Sequence, residues 1–490
     1  VHSTTKLSNV SLNNAMPDAD ITRATDAVKA AGLDCSQERD DLFYASLDHS
    51  RYSFMPALRV YAHNGGDIAK TLEIASQFKV PITPRGAGTG CAGGCVPVRG
   101  SIVLDLSKID FIEIQPAERV AHVGAGAITA QVDAQAAKHG LMYAPDPSSH
   151  KFSTIGGNIS CNAGGVRAAK YGNTRENVYA LTAYLPDGRR LDCGRALKKF
   201  STGLNLKDFF IGSEGTLGVV GEAWLKLVPR PESRAVAIAF PKSDAAAFDA
   251  VEKLMLSPLT PAICEFMDAE TLSCVLRRNP DTDLKIPAGA AVLLLEFDGS
   301  REQAKSDAVF AEKLLSEYSA RAARDESEAE SFWKIRRSAS QSMYLLADSK
   351  VNQDIVLPFS AVRGYFEFYK SLSMQYGLPS PVFGHAGDGN YHIHFMYESG
   401  EAGARERAWE AMGKAVRKAI EMGGAVSGEH GIGFLKSKYM PYQHTREELE
   451  VMRAIKRQFD PNNILNPDKV YFPNVVTPKN PLTNVKLPWD

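Results

Sequence analysis

The sequence predicts an α+β protein with more than one domain, on the basis of three observations. The chain has 490 residues, which is long for a single hydrophobic core and favours two or three domains. Residues 56–84 have a strand–helix–strand pattern of the βαβ type. Beyond the prolines of WLKLVPRPES, which mark a boundary near Pro229–Ser233, strand and helix patterns follow in an order that suggests an antiparallel sheet.

Hydrophobic spacing assigns the elements in order along the chain. In the first region, the strand PALRVYA precedes a helix on which Ile68, Leu72, Ala75 and Phe78 share one face. The strands KVPITP and SIVLDLS follow it. The charged run RAARDESEAESFWKIRR predicts a mostly solvated helix, with Trp333 in the core. The other predicted elements of the second region are the strands AVAIAF, AVLLLEFDG and DIVLP, and the helices SDAAAFDAVEKLML, REQAKSDAVFAEKLLSEYSA and 362–376.

Composition excludes several classes of protein. A formal net charge of −1 argues against binding to nucleic acid or to an anionic membrane surface. There is no apolar run of membrane-spanning length, and residues 1–20 lack the apolar core of a secretory signal, so we expect a flexible tail there. Seven scattered cysteines without a C-x-x-C motif predict free thiols and disfavour an iron–sulfur cluster. The expected location is cytoplasmic, or the mitochondrial matrix in a eukaryote, with peripheral membrane contact left open.

Three glycine-rich loops predict a phosphate-containing cofactor. They are RGAGTGCAGGCVPVRG with six glycines, the region 145–173, and IGSEGTLGVV. Glycine allows the backbone to approach a ligand closely, and successive N–H groups can hold phosphate oxygens. Gly88, Gly90 and Gly93 match G-x-G-x-x-G, but a proline and a strand follow where a Rossmann fold requires a helix. The first loop is therefore expected to hold a pyrophosphate without that helix.

The stretch FGHAGDGNYHIHF, residues 383–395, contains three of the eleven histidines and predicts a hairpin. With Asp388-Gly389 as a two-residue type I′ turn, His385 pairs directly with His392, and their Cβ atoms lie roughly 4.5–5.5 Å apart. Two imidazoles at that distance can share a metal ion. Tyr391, Ile393 and Phe395 would face the core, and His392, His394 and Met396 would face the other way.

A second segment, GGAVSGEHGIGF, places Glu429 and His430 between glycines. It follows a helix with Trp409, Met412, Val416 and Ile420 at helical spacing, which Gly423-Gly424 ends. Glu429 can supply a carboxylate oxygen to the same metal and leave a coordination position open for a substrate. His430 would remain available as a base, although a plain polar loop is an open alternative.

The ordered motifs resemble those of one enzyme family. PRGAGTG-x-x-GG, PDPSS, GGN, NAGG, KYG, GSEGTLG, HAGDGN-x-H, GEHGIG and LNPDK occur in that order between about residues 50 and 470. This series is similar to the FAD-linked 2-hydroxy-acid dehydrogenases, which include D-lactate dehydrogenase, the glycolate oxidase catalytic subunit and D-2-hydroxyglutarate dehydrogenase.

The resemblance implies an FAD-binding domain of the p-cresol methylhydroxylase type (PCMH/VAO type) with two subdomains, at residues 21–230. An α+β cap domain with an antiparallel sheet and the metal-binding hairpin would span 231–425, and residues 426–490 would return to the FAD domain. FAD would be bound non-covalently. The implied cofactor-binding residues are Pro84, Arg85, Gly86, Ala87, Gly88, Thr89, Gly90, Pro147, Ser148, Gly156, Gly157, Asn158, Gly164, Gly165, Gly215, Thr216, Gly218, Val219 and Asn466.

The resemblance also implies a mechanism. His385, His392 and Glu429 would bind a divalent metal, Zn²⁺ or Mn²⁺, which lowers the pKa of the substrate's α-hydroxyl. His430 would accept the hydroxyl proton while a hydride passes from the α-carbon to flavin N5. Arg336 would bind the substrate carboxylate, for which its planar fork is suited, and Arg337 would point elsewhere.

Substrate identity depends on positions that differ from part of the family. Relatives that oxidise D-2-hydroxyglutarate have threonine and lysine where this chain has Ser340 and Asn352, and asparagine where it has His394. Lys350 lies on the strand face of Asn352 and carries a charge that Asn352 lacks. D-lactate or another small D-2-hydroxy acid is therefore favoured, with D-2-hydroxyglutarate and glycolate as alternatives.

Two other functional classes are considered. One is a flavin transferase similar to alkylglycerone-phosphate synthase, which would have no metal triad, and the other is a non-catalytic scaffold. The intact metal triad, glycine loops and His430 disfavour both. The electron acceptor would be a quinone, an electron-transfer flavoprotein or a cytochrome, with no nicotinamide site, and a homodimer is expected by analogy.

Overall fold

A computed structural model describes residues 18–98, 100–280, 284, 286–472 and 487. Of the predicted tail, residues 1–17 lie outside the described residues, and residues 18–20 begin the first helix. Up to residue 229 the elements are α1 (Asp18–Ala30), β1 (Cys35–Ser36), α2 (Arg39–Ala45), β2 (Leu58–Tyr61), α3 (Gly65–Phe78), β3 (Ile82–Arg85), β4 (Ile102–Asp105), β5 (Ile112–Gln115), β6 (Val120–Gly124), α4 (Thr129–Ala137), β7 (Leu141–Met142), α5 (Ile155–Cys161), α6 (Ala168–Tyr171), β8 (Val178–Tyr184), β9 (Arg190–Gly194), α7 (Lys207–Phe210), β10 (Val219–Lys226) and β11 (Val228–Pro229).

The second half continues the alternation of strands and helices. Its elements are β12 (Ser233–Ala239), α8 (Asp244–Met255), β13 (Ile263–Met267), α9 (Ala269–Arg278), β14 (Val292–Gly299), α10 (Arg301–Leu314), β15 (Arg321–Ala322), α11 (Glu326–Ser342), β16 (Ser349–Val356), α12 (Val362–Tyr376), β17 (Val382–His385), β18 (Asn390–Tyr397), α13 (Ala404–Glu421), α14 (Met440–Gln443) and α15 (Arg446–Phe459). Short 3₁₀ turns lie at Arg175–Asn177, Ser316–Tyr318, Met343–Leu345, Phe359–Ala361 and Ser437–Tyr439.

The first sheet contains the predicted βαβ unit. Its strand order is β1-β2-β4-β3, and both β2 and β3 run parallel to β4, which lies between them. Helix α3 begins where the Asn64 side chain accepts hydrogen bonds from two backbone N–H groups, and it ends at Lys79 in the left-handed conformation. The glycine-rich loop after β3 leads to β4 without a helix among its described residues, as the sequence predicts.

The other large sheets are antiparallel. A five-stranded sheet has the order β5-β6-β10-β8-β9, and a seven-stranded sheet has the order β15-β12-β14-β13-β17-β18-β16. The α+β class with an antiparallel sheet in the second half is therefore confirmed. The exact domain boundaries at residues 230 and 425 stay a prediction.

Helix α11 is less solvated than its charged sequence predicts. Phe332, Trp333, Ile335 and Ala339 are buried against the seven-stranded sheet, because they lie on one face of the helix while the charged residues lie on the other. Trp333 packs in the core, as predicted, and its indole N–H donates to Glu296. Arg337 is exposed and pairs with Glu330, so its prediction is also confirmed.

The 383–395 stretch forms a hairpin whose register differs from the predicted one. His385 pairs with Asn390, and His392 pairs with Phe383. A type I′ turn needs positive φ at both central residues, but only Gly389, with φ of 75°, has it. The turn therefore spans Ala386 to Gly389, and the direct His385–His392 pairing was wrong. A shift of two residues keeps both histidines on one face, because strand side chains alternate with a period of two.

The opposite hairpin face is apolar. Tyr391, Ile393 and Phe395 belong to the core cluster that helices α12 and α13 cover, as the alternation predicts. Helix α13 ends at Glu421, just before the predicted Gly423-Gly424 stop.

The chain after α15 packs against the first sheet. Leu465 forms a parallel bridge with Ile82, and the Asn466 side chain donates to the backbone oxygens of Gly94 and Glu214. Lys456 reaches the backbone oxygen of Thr216. These contacts join residues 456–466 to the first and third glycine-rich loops.

All seven cysteines are free, as predicted. Among the described residues, the helices are too short or too polar for any of them to cross a lipid bilayer.

Candidate active site

A row of polar side chains crosses one face of the seven-stranded sheet. Glu265 on β13 lies opposite His385 on β17, and His392 on β18 lies opposite Asp354 on β16. The rings of His385 and His392 are diagonal neighbours with centroids 5.3 Å apart. All four residues are buried. Four neighbouring strands thus contribute one polar side chain each to a common line.

Three imidazole nitrogens surround one oxygen of Glu429. The Nε2 atoms of His385, His392 and His430 lie 3.6, 3.4 and 3.8 Å from Glu429 Oε1. His385, His392 and Glu429 each offer one ligand atom, and these atoms lie within 4.8 Å of one another. The predicted set of two histidines and a carboxylate is therefore brought together in space, and its role as a metal site stays a prediction. Such a set, with an open fourth position, is typical of catalytic zinc sites.

Outer carboxylates orient two of these imidazoles. The Nδ1 atom of His385 donates to Oε1 of Glu265, and Nδ1 of His430 lies 3.2 Å from Oδ1 of Asp354. A carboxylate only accepts, so Nδ1 must carry the hydrogen in each ring when it makes this contact. Nε2 is then the atom of each ring that faces Glu429, and it could bind a metal after losing its hydrogen.

Asp354 also fixes the loop that carries Glu429. Its Oδ2 atom accepts hydrogen bonds from the backbone N–H groups of Gly428, Glu429 and His430, at 2.8, 2.9 and 3.1 Å. Its Oδ1 atom pairs with the buried ammonium of Lys436. A Cβ atom at Gly428 would lie 2.1 Å from Asn390 Nδ2, so any larger residue would displace the Asn390 side chain.

Burial and neighbouring charges shift the pKa values of Glu429 and His392 downwards and that of His385 upwards. Burial would raise the pKa of Glu429, but the contacts with His385 outweigh it and lower that pKa to about 2. Burial lowers the pKa of His392 to about 3. Burial would also lower the pKa of His385, yet Glu265 and Glu429 raise it well above its ordinary value. An ionised carboxylate and a neutral imidazole are the forms that bind metals, and a cation at His385 Nε2 would replace a proton.

A cavity lined by the glycine-rich loops adjoins this cluster. Glu429 and His430 form part of its wall. The predicted cofactor residues that line it are Pro84, Arg85, Gly86, Ala87, Gly88, Thr89, Gly90, Pro147, Ser148, Gly156, Gly157, Asn158, Gly164 and Gly215.

Five other predicted cofactor residues lie behind the cavity wall. Gly165 packs against the backbone of Asp146, and Gly218 packs against Phe210. The Thr216 hydroxyl donates to a backbone oxygen, Val219 pairs within β10, and the Asn466 amide donates to two backbone oxygens. The structure therefore does not bring these five residues to the cavity, because their polar or small groups are used in supporting the loops.

Three of the predicted substrate residues, Arg336, Ser340 and Lys350, lie beside the polar row. Arg336 donates from Nε to Oε2 of Glu265 at 2.5 Å, and its guanidinium lies 4.7 Å from the Phe383 ring centroid. Lys350 Nζ lies 3.4 Å from the Ser340 hydroxyl. Asn352 is exposed and pairs with His394 across β16 and β18. Lys350, Asn352 and Asp354 share one strand face, as the alternation predicts.

Sequence reasoning missed three carboxylates of the site. Glu265, Asp354 and Glu214 are buried, and Glu214 accepts the N–H groups of Ile432 and Gly433 next to the cluster. A signal for the first two was available. Each is a single acid within an apolar strand, ICEFM or DIV, and a buried charge requires a partner.

Sequence comparison assigns the chain to a family. The profile described as "FAD linked oxidases, C-terminal domain" matches residues 230–470, and "FAD binding domain" matches residues 56–194. Glycolate oxidase subunit GlcD of Bacillus subtilis is 36% identical over 435 residues, covering 88% of this chain and 92% of the relative. This chain belongs to the FAD-linked oxidase family. The family resemblance predicted from the motifs is confirmed, and the protein is an FAD-linked oxidoreductase.

A further sequence relative supports the family assignment of this FAD-linked oxidase, and solved structures support its fold. A D-lactate dehydrogenase of Anaerostipes hadrus is 33% identical over 428 residues, covering 85% of this chain and 90% of the relative. Among solved structures, p-cresol methylhydroxylase with substrate bound superposes with a TM-score of 0.75 at 17% identity, covering 93% and 96% of the two chains. Alkyldihydroxyacetonephosphate synthase gives 0.72 at 19% identity, covering 94% and 88%. The PCMH-type fold is confirmed.

Proposed function

We propose that this FAD-linked oxidase oxidises a small D-2-hydroxy acid to the 2-oxo acid with the help of a divalent metal, and that D-lactate is the favoured substrate. The observation that carries the proposal is that Glu429 and His430 both lie beside the pair of His385 and His392 and both form part of the wall of the glycine-lined cavity. A substrate held at the cluster would therefore lie next to the flavin.

The residues present fit both groups. Two imidazoles and a carboxylate are a donor set for Zn²⁺ or Mn²⁺, and Glu265 supplies the outer hydrogen bond that ligating histidines usually have. His385, His392 and Glu429 would hold the metal. The loops at residues 84–90, 147–148 and 156–158 would hold FAD, and most of them present glycine backbone to the cavity.

The reaction removes a hydride from the α-carbon and a proton from the hydroxyl. When bound, the metal would acidify the hydroxyl and FAD would accept the hydride. His430, held through Nδ1 by Asp354, directs Nε2 to the cluster and would take the hydroxyl proton there. Arg336 would bind the substrate carboxylate. Reoxidation of the flavin requires an acceptor, for which a quinone, an electron-transfer flavoprotein or a cytochrome is proposed.

Glycolate is a second candidate substrate. Its support is the 36% identity to a protein named as a glycolate oxidase subunit. Glycolate and D-lactate differ by one methyl group, so the same cluster can serve both. A flavin transferase has less support, because alkyldihydroxyacetonephosphate synthase is similar at only 19% identity.

Anaerobic reduction of the flavin tests the proposal. D-lactate should bleach the visible flavin band of the metal-loaded protein, and removal of the metal with a chelator should slow this by 10²-fold or more, because the hydroxyl then loses its acidifying cation. Addition of Zn²⁺ or Mn²⁺ should restore the rate, whereas the flavin should remain bound throughout. Glycolate and D-2-hydroxyglutarate are titrated in parallel.

A matched pair of variants accompanies this measurement. Glu429→Gln should behave like the chelated protein, and Glu421→Gln, which alters an exposed carboxylate near the same loop, should behave like the wild type. Equal bleaching with and without metal would contradict metal dependence. Absence of bleaching by all three acids would contradict the substrate class.

Lys350 predicts a pH-dependent selectivity between acids. Burial lowers its pKa to about 8, so its positive charge is present below pH 8 and lost as the pH rises through 8. A second substrate carboxylate needs that charge, whereas the carboxylate next to the hydroxyl relies on Arg336. The ratio of kcat/KM for D-2-hydroxyglutarate over that for D-lactate should therefore fall by about tenfold between pH 7 and pH 9, since a charged hydrogen bond contributes roughly 1.5–3 kcal/mol.

The control for this prediction is another lysine. Lys350→Met should give a low ratio that no longer changes with pH, and Lys334→Met, at an exposed position of α11, should keep the wild-type profile. A wild-type ratio that is constant from pH 7 to pH 9 would exclude Lys350 from substrate selection.

A further inference from the structure

We propose that Glu265 is a positioning residue that couples the predicted metal ligand His385 to Arg336, the predicted carboxylate-binding residue. The inference rests on the proposed function and adds a residue to it. One buried carboxylate contacts a predicted metal ligand with one oxygen and the predicted substrate-binding arginine with the other. Glu265 would thereby set where the hydroxyl and the carboxylate of a 2-hydroxy acid bind relative to each other.

The position of Glu265 in the sheet makes this coupling rigid. It lies on β13, between β14 and β17, and is 1% exposed. Its backbone is paired with Leu294 on one side and His385 on the other. Because β13 is a central strand with neighbours on both sides, the carboxylate has little freedom to move.

The first contact determines how His385 can act. Its Nδ1–H is donated to Oε1 of Glu265, so Nε2 is left as the ligand atom and is directed to Glu429 at 3.6 Å. Hydrogen bonds of this kind fix the ring and make the imidazole a better ligand. Removal of the Glu265 charge should therefore weaken metal binding even though Glu265 is not a ligand.

The second contact determines how Arg336 can act. Glu265 accepts from Nε, and the ring of Phe383 lies against the guanidinium. The two terminal nitrogens donate no hydrogen bond to any residue in the described part of the chain. Arg336 is thus held through Nε and through one face of its guanidinium, and its two terminal nitrogens stay available for a carboxylate.

A nearby carboxylate provides the comparison. Glu296 on β14 lies opposite Ile263, two residues from Glu265 on β13, and is also buried. It too pairs with an arginine, Arg234, and accepts from a ring N–H, that of Trp333. Neither of those partners belongs to the proposed site. A purely structural role for a buried glutamate on this face would give Glu265 and Glu296 similar effects when each is neutralised.

The test measures two binding constants in the flavin-loaded, full-length protein. Zn²⁺ affinity is measured by competition with a chelator. Pyruvate affinity is measured on the metal-free protein from the perturbation of the flavin spectrum, because pyruvate has the carboxylate but cannot reduce the flavin. Glu265→Gln should raise the Kd for Zn²⁺ by about 10–100-fold, the range for outer-shell partners of metal ligands, and the Kd for pyruvate by about tenfold. Glu296→Gln should change each by less than threefold.

The outcomes distinguish a failure of the proposed function from a failure of the coupling by Glu265. Wild-type protein that binds flavin but neither Zn²⁺ nor pyruvate would overturn the proposed function itself. Wild-type protein that binds both, with Glu265→Gln changing neither constant or only one, would overturn the coupling alone. If Glu265→Gln does not fold, Glu265→Asp is measured instead. It keeps the charge but is shorter by one methylene, so it should weaken the contacts with both His385 and Arg336 and raise both Kd values, and an unchanged value for either would overturn the coupling.

Discussion

Replacement of His430 by asparagine should lower the rate of flavin reduction by D-lactate by about 10²–10⁴-fold, the usual contribution of a positioned general base. His430 Nε2 lies 3.8 Å from Glu429 Oε1 and borders the flavin cavity, where the hydroxyl proton would be released. Asparagine can still donate to Asp354 through its amide, so the loop should keep its conformation while the base is lost. Single-turnover stopped-flow reduction measures the effect directly.

The control for His430 lies in the same part of the chain. His444→Asn alters a histidine that pairs with a surface carboxylate, Glu448, and should leave the reduction rate within twofold to threefold of the wild type. His430→Asn should retain flavin and Zn²⁺, because His430 is not one of the three predicted ligands. A reduction rate within threefold of the wild type would contradict the assignment of His430 as the base.

Replacement of Asp354 by asparagine should cause the largest loss of stability, about 3–5 kcal/mol in the free energy of unfolding. Lys436 is 3% exposed and would lose the carboxylate that balances its charge. A carboxylate accepts hydrogen bonds through both oxygens, whereas an amide has one oxygen and one NH₂ group, which only donates. The NH₂ group of the introduced asparagine would therefore face another donor, either the Lys436 ammonium or the N–H groups of Gly428, Glu429 and His430. Denaturant unfolding at pH 7 measures the change.

The pH dependence of this loss has a definite sign. Burial would raise the pKa of Asp354, but His430 and Lys436 outweigh it and hold that pKa well below its ordinary value. A lowered pKa stabilises the fold above the unfolded-state pKa of about 3.9, and this stabilisation is lost as the pH falls through the folded-state pKa. The difference between wild type and Asp354→Asn should therefore narrow below about pH 4. It should also decrease as the pH rises through the pKa of His430, because Asp354 raises that pKa and the stabilisation linked to it is lost once His430 is deprotonated.

Asp249→Asn is the matched control for Asp354. Asp249 pairs with Arg363 at the surface, where both side chains are about half exposed, so its removal should cost no more than about 1 kcal/mol. A loss of less than 1 kcal/mol for Asp354→Asn as well would mean that the loop of Glu429 is held by other contacts.

In the hairpin of residues 383–395, the local pattern predicts which side chains share a face but not the strand register. Alternation correctly predicted that His385 and His392 share a face opposite Tyr391, since this depends only on the twofold period of a strand. The register was wrong, because turn type depends on backbone angles that neighbours influence. Here the Gly387 N–H donates to the backbone oxygen of Cys264 on β13, a contact that no local pattern contains.

The glycine-rich loops also show which features a sequence motif predicts and which it does not. Most of the glycines that the motifs indicated do line the cavity, because a glycine-rich segment has few side chains to fill the space beside it. The motif residues Thr216, Val219 and Asn466 support the loops from behind instead. A motif marks which residues belong to a loop, and it does not distinguish those that face a ligand from those that face the core.

By itself, the sequence determined the α+β class, the family and the glycine loops, and it predicted His385, His392, Glu429 and His430 as candidate site residues, because these depend on spacing within short segments. The tertiary structure alone showed that Glu265 and Asp354 contact these candidate residues. Glu265 lies on a different strand from His385, 120 residues away in the chain, and Asp354 contacts His430, which lies in a loop 76 residues away. The first contact exists because sheet pairing places β13 beside β17, and the second because the loop of residues 428–430 packs against β16. Both the order of strands in a sheet and the packing of a loop on it are set by the whole chain.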